Sequence, residues 1–214
     1  MTTAEWVALL TLATATSFTP GPNTTLSTAL AANGGLRRAL PFVLAVPVGW
    51  ALLLALCAAG VGAAVLAAPA LRQGILWGGV AYLLWLAWRL ARPAGPGTGG
   101  RTLHLSFARG VALQFLNLKA WMLALAVVAG WIAGQPQAWL RFWLVLPVMV
   151  FYALTSNLTY ALVGAALRHW LEGPVVDGRA SRRRLRAFNG AMGLALALTA
   201  GWLATSAPGL GAAP

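Results

Sequence analysis

Phe18-Thr19-Pro20-Gly21-Pro22-Asn23 interrupts an otherwise apolar stretch of chain. Helix-compatible apolar sequence flanks it, from Trp6 to Ser17 on one side and from Thr24 to Ala32 on the other. Proline removes a backbone donor and clashes with the preceding turn. Two prolines and a glycine therefore predict two half-helices joined by a few residues of non-helical backbone. In hydrocarbon the freed backbone groups cannot stay unpaired, so such a break survives only where it faces protein or a water-filled cavity. Discontinuous helices of this kind tend to mark the ligand sites of membrane transporters.

The chain has 214 residues, 60% hydrophobic and only 8% charged, whereas soluble domains carry about 25% charged residues. Its apolar runs approach the ~20 residues that span a bilayer. Six spans are expected, at about 5–32, 39–63, 71–90, 106–133, 139–167 and 188–207. They use nearly the whole chain, so one membrane domain over residues 1–214 is expected. Ala13-Thr14-Ala15 resembles a cleavage box, but the basic n-region of a signal peptide is missing and the segment is read as retained. Cys57 is the one cysteine and falls in the second apolar run. It excludes an internal disulfide and is expected to be a small packing residue.

The formal net charge is +12, and its distribution gives a topology. Arg37 and Arg38 follow the first span. Arg89, Arg92, Arg101 and Arg109 cluster around the loop between the third and fourth. Arg168, Arg179, Arg182, Arg183, Arg184 and Arg186 flank the loop between the fifth and sixth. The opposite side carries only Arg72 and Arg141. Positive loops stay cytoplasmic, so both termini are expected to face the periplasm. The Arg-rich loops then contact anionic lipid. They lack interleaved aromatics and a module to present them, which argues against a nucleic-acid partner. Trp6, Trp77, Trp88, Trp131, Trp139, Trp170 and Trp202 fall near span ends, where aromatic belts form. Trp50, Trp85 and Trp121 do not fit a belt, and Trp121 stands two residues from Lys119.

Three spans precede the Gly-rich loop 92–101 and three follow it. An odd number per half inserts the halves with opposite orientation, as in an inverted repeat. The expected fold is therefore all-α: six transmembrane helices as two inverted three-helix repeats, about 1–92 and 103–207, with the first helix of each broken near the midplane. The fourth span places Gln114, Asn117 and Lys119 inside apolar sequence. Helix over 103–134 would run roughly 45 Å at ~1.5 Å per residue, longer than the ~30 Å hydrocarbon core. Span one is similarly overlong.

Lys119 is the only lysine in the protein. A charge at a membrane-helix centre costs about 2.5–3.5 kcal/mol on insertion scales, so it rarely sits there without a partner or a cavity. It can serve a ligand, tie down carbonyls freed at Pro20–Asn23, or snorkel to the cytoplasmic edge. The first reading suits a zwitterion. Pro22 is well placed as the first residue of the second half-helix. The N–H groups of Asn23, Thr24 and Thr25 would then point into the break and attract an anion. The carbonyls around Ser17–Gly21, the amides of Asn23 and Asn117, and Gln114 would receive an ammonium or hydroxyl. The candidate substrate-binding residues are Pro20, Gly21, Pro22, Asn23, Thr24, Gln114, Asn117 and Lys119. Thr11, Thr14, Thr155, Ser156, Asn157 and Thr159 are weaker path candidates, because small hydroxyls in membrane helices more often bond locally. No catalytic, metal or cofactor site is expected. His104 and His169 are far apart, and neither HExxH nor GxSxG occurs.

At these residues the chain resembles the LysE/RhtB family of bacterial amino-acid exporters. The motifs are Thr19-Pro-Gly-Pro-Asn23 with Gly34-Gly-Leu-Arg37, and Gly79-Val-Ala-Tyr82-Leu-Leu-Trp85-Leu-Ala-Trp88-Arg89. Further along come Phe107-Ala-Arg-Gly110 with Asn117-Leu-Lys119, and Arg186-Ala-Phe-Asn-Gly190-Ala-Met-Gly193-Leu. Within the family, residues 81–88 and 112–119 look most like the cysteine/O-acetylserine exporters. The resemblance implies alternating-access efflux of amino acids or close derivatives from the cytoplasm across the inner membrane. It implies proton-motive drive and leaves a homodimer open. A small-cation exporter of the same fold and a membrane-embedded enzyme are the alternatives. Leu118 stands where the family usually has proline, so the fourth span is expected to break less sharply. Spans two to six hold no carboxylate, so a standard carboxylate proton relay is not available.

Overall fold

The computed structural model describes residues 1–92, 104–173, 175–176, 179–180 and 183–206. Most of the Gly-rich loop, Arg101, Asp177, Arg182 and the tail 207–214 lie outside the described residues.

The first apolar segment is two helices, α1 (Thr3–Phe18) and α2 (Pro22–Gly34). A capping box starts α1. Thr2 Oγ1 accepts the Glu5 amide at 3.2 Å, and the Glu5 carboxylate accepts the Thr2 amide at 2.6 Å. Thr19 and Gly21 are extended, and Pro22 is the first residue of α2. There its missing N–H costs nothing, because that donor has no intrahelical acceptor in any helix. Chain chemistry alone accounts for this break.

After α2 come α3 (Leu36–Ala58), α4 (Val61–Ala67) and α5 (Pro69–Ala91). The second span was expected to run to residue 63. It stops earlier because Gly60 takes a left-handed conformation, φ 90°, which glycine adopts without a Cβ penalty. Next are α6 (Phe107–Phe115) and α7 (Leu118–Val127), the latter running on as a π-helical turn, Val128–Ile132. The last two helices are α8 (Ala138–Glu172) and α9 (Arg183–Ser206). A two-residue antiparallel pair, Val175–Val176 with Arg179–Ala180, lies between them.

Among the described residues, α3, α5, α8 and most of α9 are long and apolar enough to cross a membrane, and α6 with α7 forms a fifth, bent candidate. Helices α1 and α2, at 16 and 13 residues, are each shorter than the ~20 residues of a single crossing. The protein is thus an all-helical membrane protein with four to five spans by this measure.

The second break overturns one expectation. Despite Leu118 in place of proline, α6 and α7 meet at 68°. Tertiary contacts make this bend. Asn117 is extended at φ −94°, ψ 94°. Gly79 of α5 lies so close to the Leu116 carbonyl oxygen that a Cβ there would overlap it. Trp121 donates its indole N–H to the Phe115 carbonyl at 3.0 Å, and its ring meets Phe115 edge-on. One side chain thus staples both ends of the break.

Two apolar clusters flank the breaks. One gathers α2, α3, α5 and α9 around Leu26, Phe42, Leu86 and Leu196. The other gathers α1, α3, α7 and α8 around Leu9, Leu53, Val127 and Val145. Burial is uneven between the half-helices. Nine of the 13 residues of α2 are buried against two of the 16 in α1, so α2 is the anchored half. Gly164 of α8 meets the Thr28 carbonyl of α2 with no room for a side chain, the close approach that small residues allow between membrane helices.

Candidate functional site

The two breaks face each other. Asn23 Nδ2 donates to Gln114 Oε1 at 2.9 Å, and Gln114 Nε2 donates back to Asn23 Oδ1 at 3.3 Å and to the Gly110 carbonyl at 3.2 Å. This amide pair joins α2 to α6. Lys119 Nζ lies 3.7 Å from where a Cβ on Gly21 would stand, so the ammonium approaches the start of α2. It is half-buried and makes no hydrogen bond or ion pair among the described residues.

A cavity of about 80 Å³ opens between the breaks. A cavity needs at least roughly 10–15 Å³ of such volume to hold one water, so this one is large enough for water or a small polar ligand. Its residues on α8 are Met149, Ala153, Ser156 and Asn157, near the middle of a 35-residue helix.

One side of the cavity is electropositive. It holds Lys119 and the first turns of α2 and α7. Among the described residues the Asn23 and Thr24 amides have no backbone acceptor, and neither do those of Leu118 and Lys119. Helix N-termini carry about half a positive charge each. The Thr25 amide, expected to point into the break, instead donates to the Gly21 carbonyl at 2.9 Å. It closes the first turn of α2, so two donors remain there rather than three. Thr24 Oγ1 bridges the Gly21 amide and carbonyl at 2.9 and 3.0 Å. That bond positions the turn and occupies the hydroxyl.

The other side is rich in acceptors. Thr16, Ser17 and Thr19, at the C-terminal end of α1, line the cavity; of the terminal carbonyls that a helix leaves without intrahelical partners, that of Phe18 accepts the Tyr160 hydroxyl at 2.9 Å and that of Ala15 the Thr19 hydroxyl. At the start of α7, Asn117 Oδ1 is buried without a hydrogen-bond partner among the described residues. Such a group costs about 1–3 kcal/mol unless something donates to it. Breaking a helix places its negative end and the next helix's positive end across one small space, so the cavity is polarised by construction.

Of the sequence-derived candidates, Gly21, Pro22, Asn23, Thr24, Asn117 and Lys119 line the cavity. Pro20 and Gln114 do not. Pro20 is exposed on the far side of the turn, because a break of three residues can direct only part of its backbone inward. Gln114 is fully buried behind Asn23 and acts as its positioning partner. Ser156 and Asn157 also line the cavity, Asn157 Oδ1 accepting from Ser27 at 3.0 Å. Thr11, Thr155 and Thr159 bond carbonyls of their own helices, as does Thr14, whose hydroxyl also reaches Tyr152. Val46, Trp50 and Leu123 complete the wall and were not foreseen as site residues. Trp50 had one signal in the sequence, its position in mid-span outside either aromatic belt.

The LysE-type translocator family matches residues 14–207. The cysteine/O-acetylserine efflux protein of Escherichia coli O1:K1 is 30% identical over 167 residues, covering 77% of this chain and 84% of its own. That of Salmonella choleraesuis is 30% identical over 162 residues, covering 72% and 82%. No solved structure matches. With the family spanning nearly all of the chain, including both breaks and Lys119, the protein belongs to the LysE-type translocators and is a membrane transporter rather than an enzyme.

Proposed function

We propose that this protein exports amino acids or close derivatives from the cytoplasm across the bacterial inner membrane. The observation that carries the reading is the Lys119 ammonium, without a hydrogen bond or ion pair among the described residues, beside two helix N-termini in one small cavity. A substrate carboxylate would lie against Lys119 and the amides of Asn23 and Thr24. The ammonium would meet the oxygens that Thr16, Ser17 and Thr19 bring to the cavity wall. The relatives' names, cysteine/O-acetylserine efflux protein, support export of this class. A cation exporter would need anionic or soft ligands, and no group of three His, Cys, Asp or Glu gathers among the described residues.

Six spans in two inverted repeats, about 1–92 and 103–207, belong to the same proposal. In it α1–α2 and α6–α7 correspond and each crosses once, with both termini periplasmic and the Arg-rich loops on anionic lipid. Alternating access then moves the half-helices around a fixed cavity. Among the described residues Lys119 is the only ionisable side chain lining that cavity, so coupling to the proton-motive force would run through it.

An efflux panel of radiolabelled amino acids in cells tests the reading, with wild type beside Lys119→Ala and Asn23→Ala. Removing a charged hydrogen-bond partner costs about 1.5–3 kcal/mol, so Lys119→Ala should slow export roughly 10- to 100-fold. Export unaffected by both substitutions removes the site. A pH dependence of efflux that survives in Lys119→Met removes its role in coupling. Reporters fused to each terminus test the orientation.

A further inference from the structure

Most polar side chains around the polarised cavity are already committed. Thr16 and Thr19 bond carbonyls of α1, Thr24 bonds Gly21, and Ser156 bonds the Ala153 carbonyl. Asn23 pairs with Gln114, and Asn157 with Ser27. Four lining groups have no hydrogen bond among the described residues: the Ser17 hydroxyl, the Asn117 amide nitrogen, the Lys119 ammonium and the Trp50 indole N–H. Trp50 differs from the rest in its setting. It is only 5% exposed, and a buried tryptophan N–H usually finds a partner. Its nitrogen is nonetheless not sealed off, because Asn117 Oδ1 is the one fully buried side-chain polar atom left without a partner among the described residues. The open space that Trp50 borders is this cavity. Trp50, Leu123 and Met149 line it from α3, α7 and α8 and belong to one apolar cluster. The cavity thus has a hydrocarbon wall with a single hydrogen-bond donor set into it.

We propose that this wall receives the substrate's side chain, with the Trp50 N–H donating to an acceptor atom on it. The inference rests on the reading of the same cavity as the site for carboxylate and ammonium. Those two groups use Lys119, the first amides of α2 and the oxygens at the end of α1. The apolar remainder of the lining is the wall around Trp50, so the side chain turns to it. Ligand sites combine apolar surface with a few placed polar groups in this way. The placed group discriminates. An apolar side chain of the same shape would cover the N–H with hydrocarbon and leave it unpaired, whereas an ester or hydroxyl oxygen would bond it. A basic side chain fails twice, because it offers the indole no acceptor and Lys119 repels it. The substrate class is therefore amino acids whose uncharged side chain carries a hydrogen-bond acceptor.

Efflux of radiolabelled O-acetylserine, homoleucine and alanine is measured against cells lacking the protein, for wild type, Trp50→Phe and Lys119→Ala. Homoleucine has the side-chain shape of O-acetylserine with carbon in place of both oxygens, and alanine has nothing beyond Cβ. Wild type should export O-acetylserine about tenfold better than homoleucine, because the latter leaves the indole donor unpaired. Trp50→Phe keeps an aromatic ring and removes the donor. It should lower the O-acetylserine-to-homoleucine and O-acetylserine-to-alanine ratios about tenfold. Ratios are taken within one strain, so they do not depend on how much protein folds. Wild-type export of homoleucine at the rate of O-acetylserine overturns the proposal without any variant, and that comparison decides if Trp50→Phe is not produced. Ratios unmoved by Trp50→Phe also overturn it and leave the indole a packing residue. If Lys119→Ala leaves export of all three intact, the underlying site reading fails. If Lys119→Ala abolishes export while Trp50→Phe leaves the ratios alone, only the assignment of Trp50 fails.

Discussion

The two broken segments reach similar ends by different means. In α1–α2 the interruption is chemical. Pro20 and Pro22 forbid a continuous helix, and Thr24 Oγ1 ties the turn to Gly21. In α6–α7 no residue of the break forbids a helix. Leucine stands where proline would suit the first position of α7, yet the bend is 68°. That bend is held by packing and hydrogen bonding, from outside by Gly79 of α5 against the Leu116 carbonyl and within the segment by Trp121 on the Phe115 carbonyl. A break written into the backbone tolerates loss of its neighbours. One imposed by packing depends on them. The second break should therefore be the fragile one, although it carries the lysine.

Substitutions at the two breaks sharpen this contrast. The largest effect is expected at Gly79→Ala. Its methyl would overlap backbone, which cannot rotate away, and overpacking of this kind costs about 1–3 kcal/mol. A lower Tm in detergent and strongly reduced efflux should follow. Unchanged thermal stability would show that α5 does not hold the bend. Trp121→Phe comes next. It keeps an aromatic ring, though a smaller one, but orphans the Phe115 carbonyl, at about 1–3 kcal/mol, and should slow efflux several-fold with less loss of Tm. Leu118→Pro should change stability by about 1 kcal/mol or less. The Leu118 amide has no backbone acceptor to lose, and Asn117 is already extended, as a residue before proline prefers. A large loss there would mean that the Leu118 side chain, not the backbone, holds α7. The smallest effect is expected at Arg141→Ala. It removes the 2.8 Å ion pair to Glu5 that helps fasten α1 to α8, between two partly buried side chains at the end of the bundle, and should lower Tm only slightly. A cycle with Glu5→Gln measures it.

Much of this was legible before any coordinates. Low charge and long apolar runs announce a membrane protein, because hydrocarbon rejects charge. The Pro-Gly-Pro run locates one break to the residue, because proline's constraint is local to the backbone. A lone lysine in apolar sequence marks the other, because an isolated charge there needs a purpose. Local chemistry could not show that Thr25 closes its turn while Asn23 and Thr24 do not, since that depends on where the helix settles. Nor could it separate Gln114, buried behind Asn23, from Asn117, facing the cavity, because both are amides on the same short segment. The pairing of the two breaks, the contribution of Trp50, and the sharp bend at Leu116–Asn117 belong to the tertiary structure. Each comes from contacts between helices far apart in the chain, and neither composition nor spacing records which surfaces will meet.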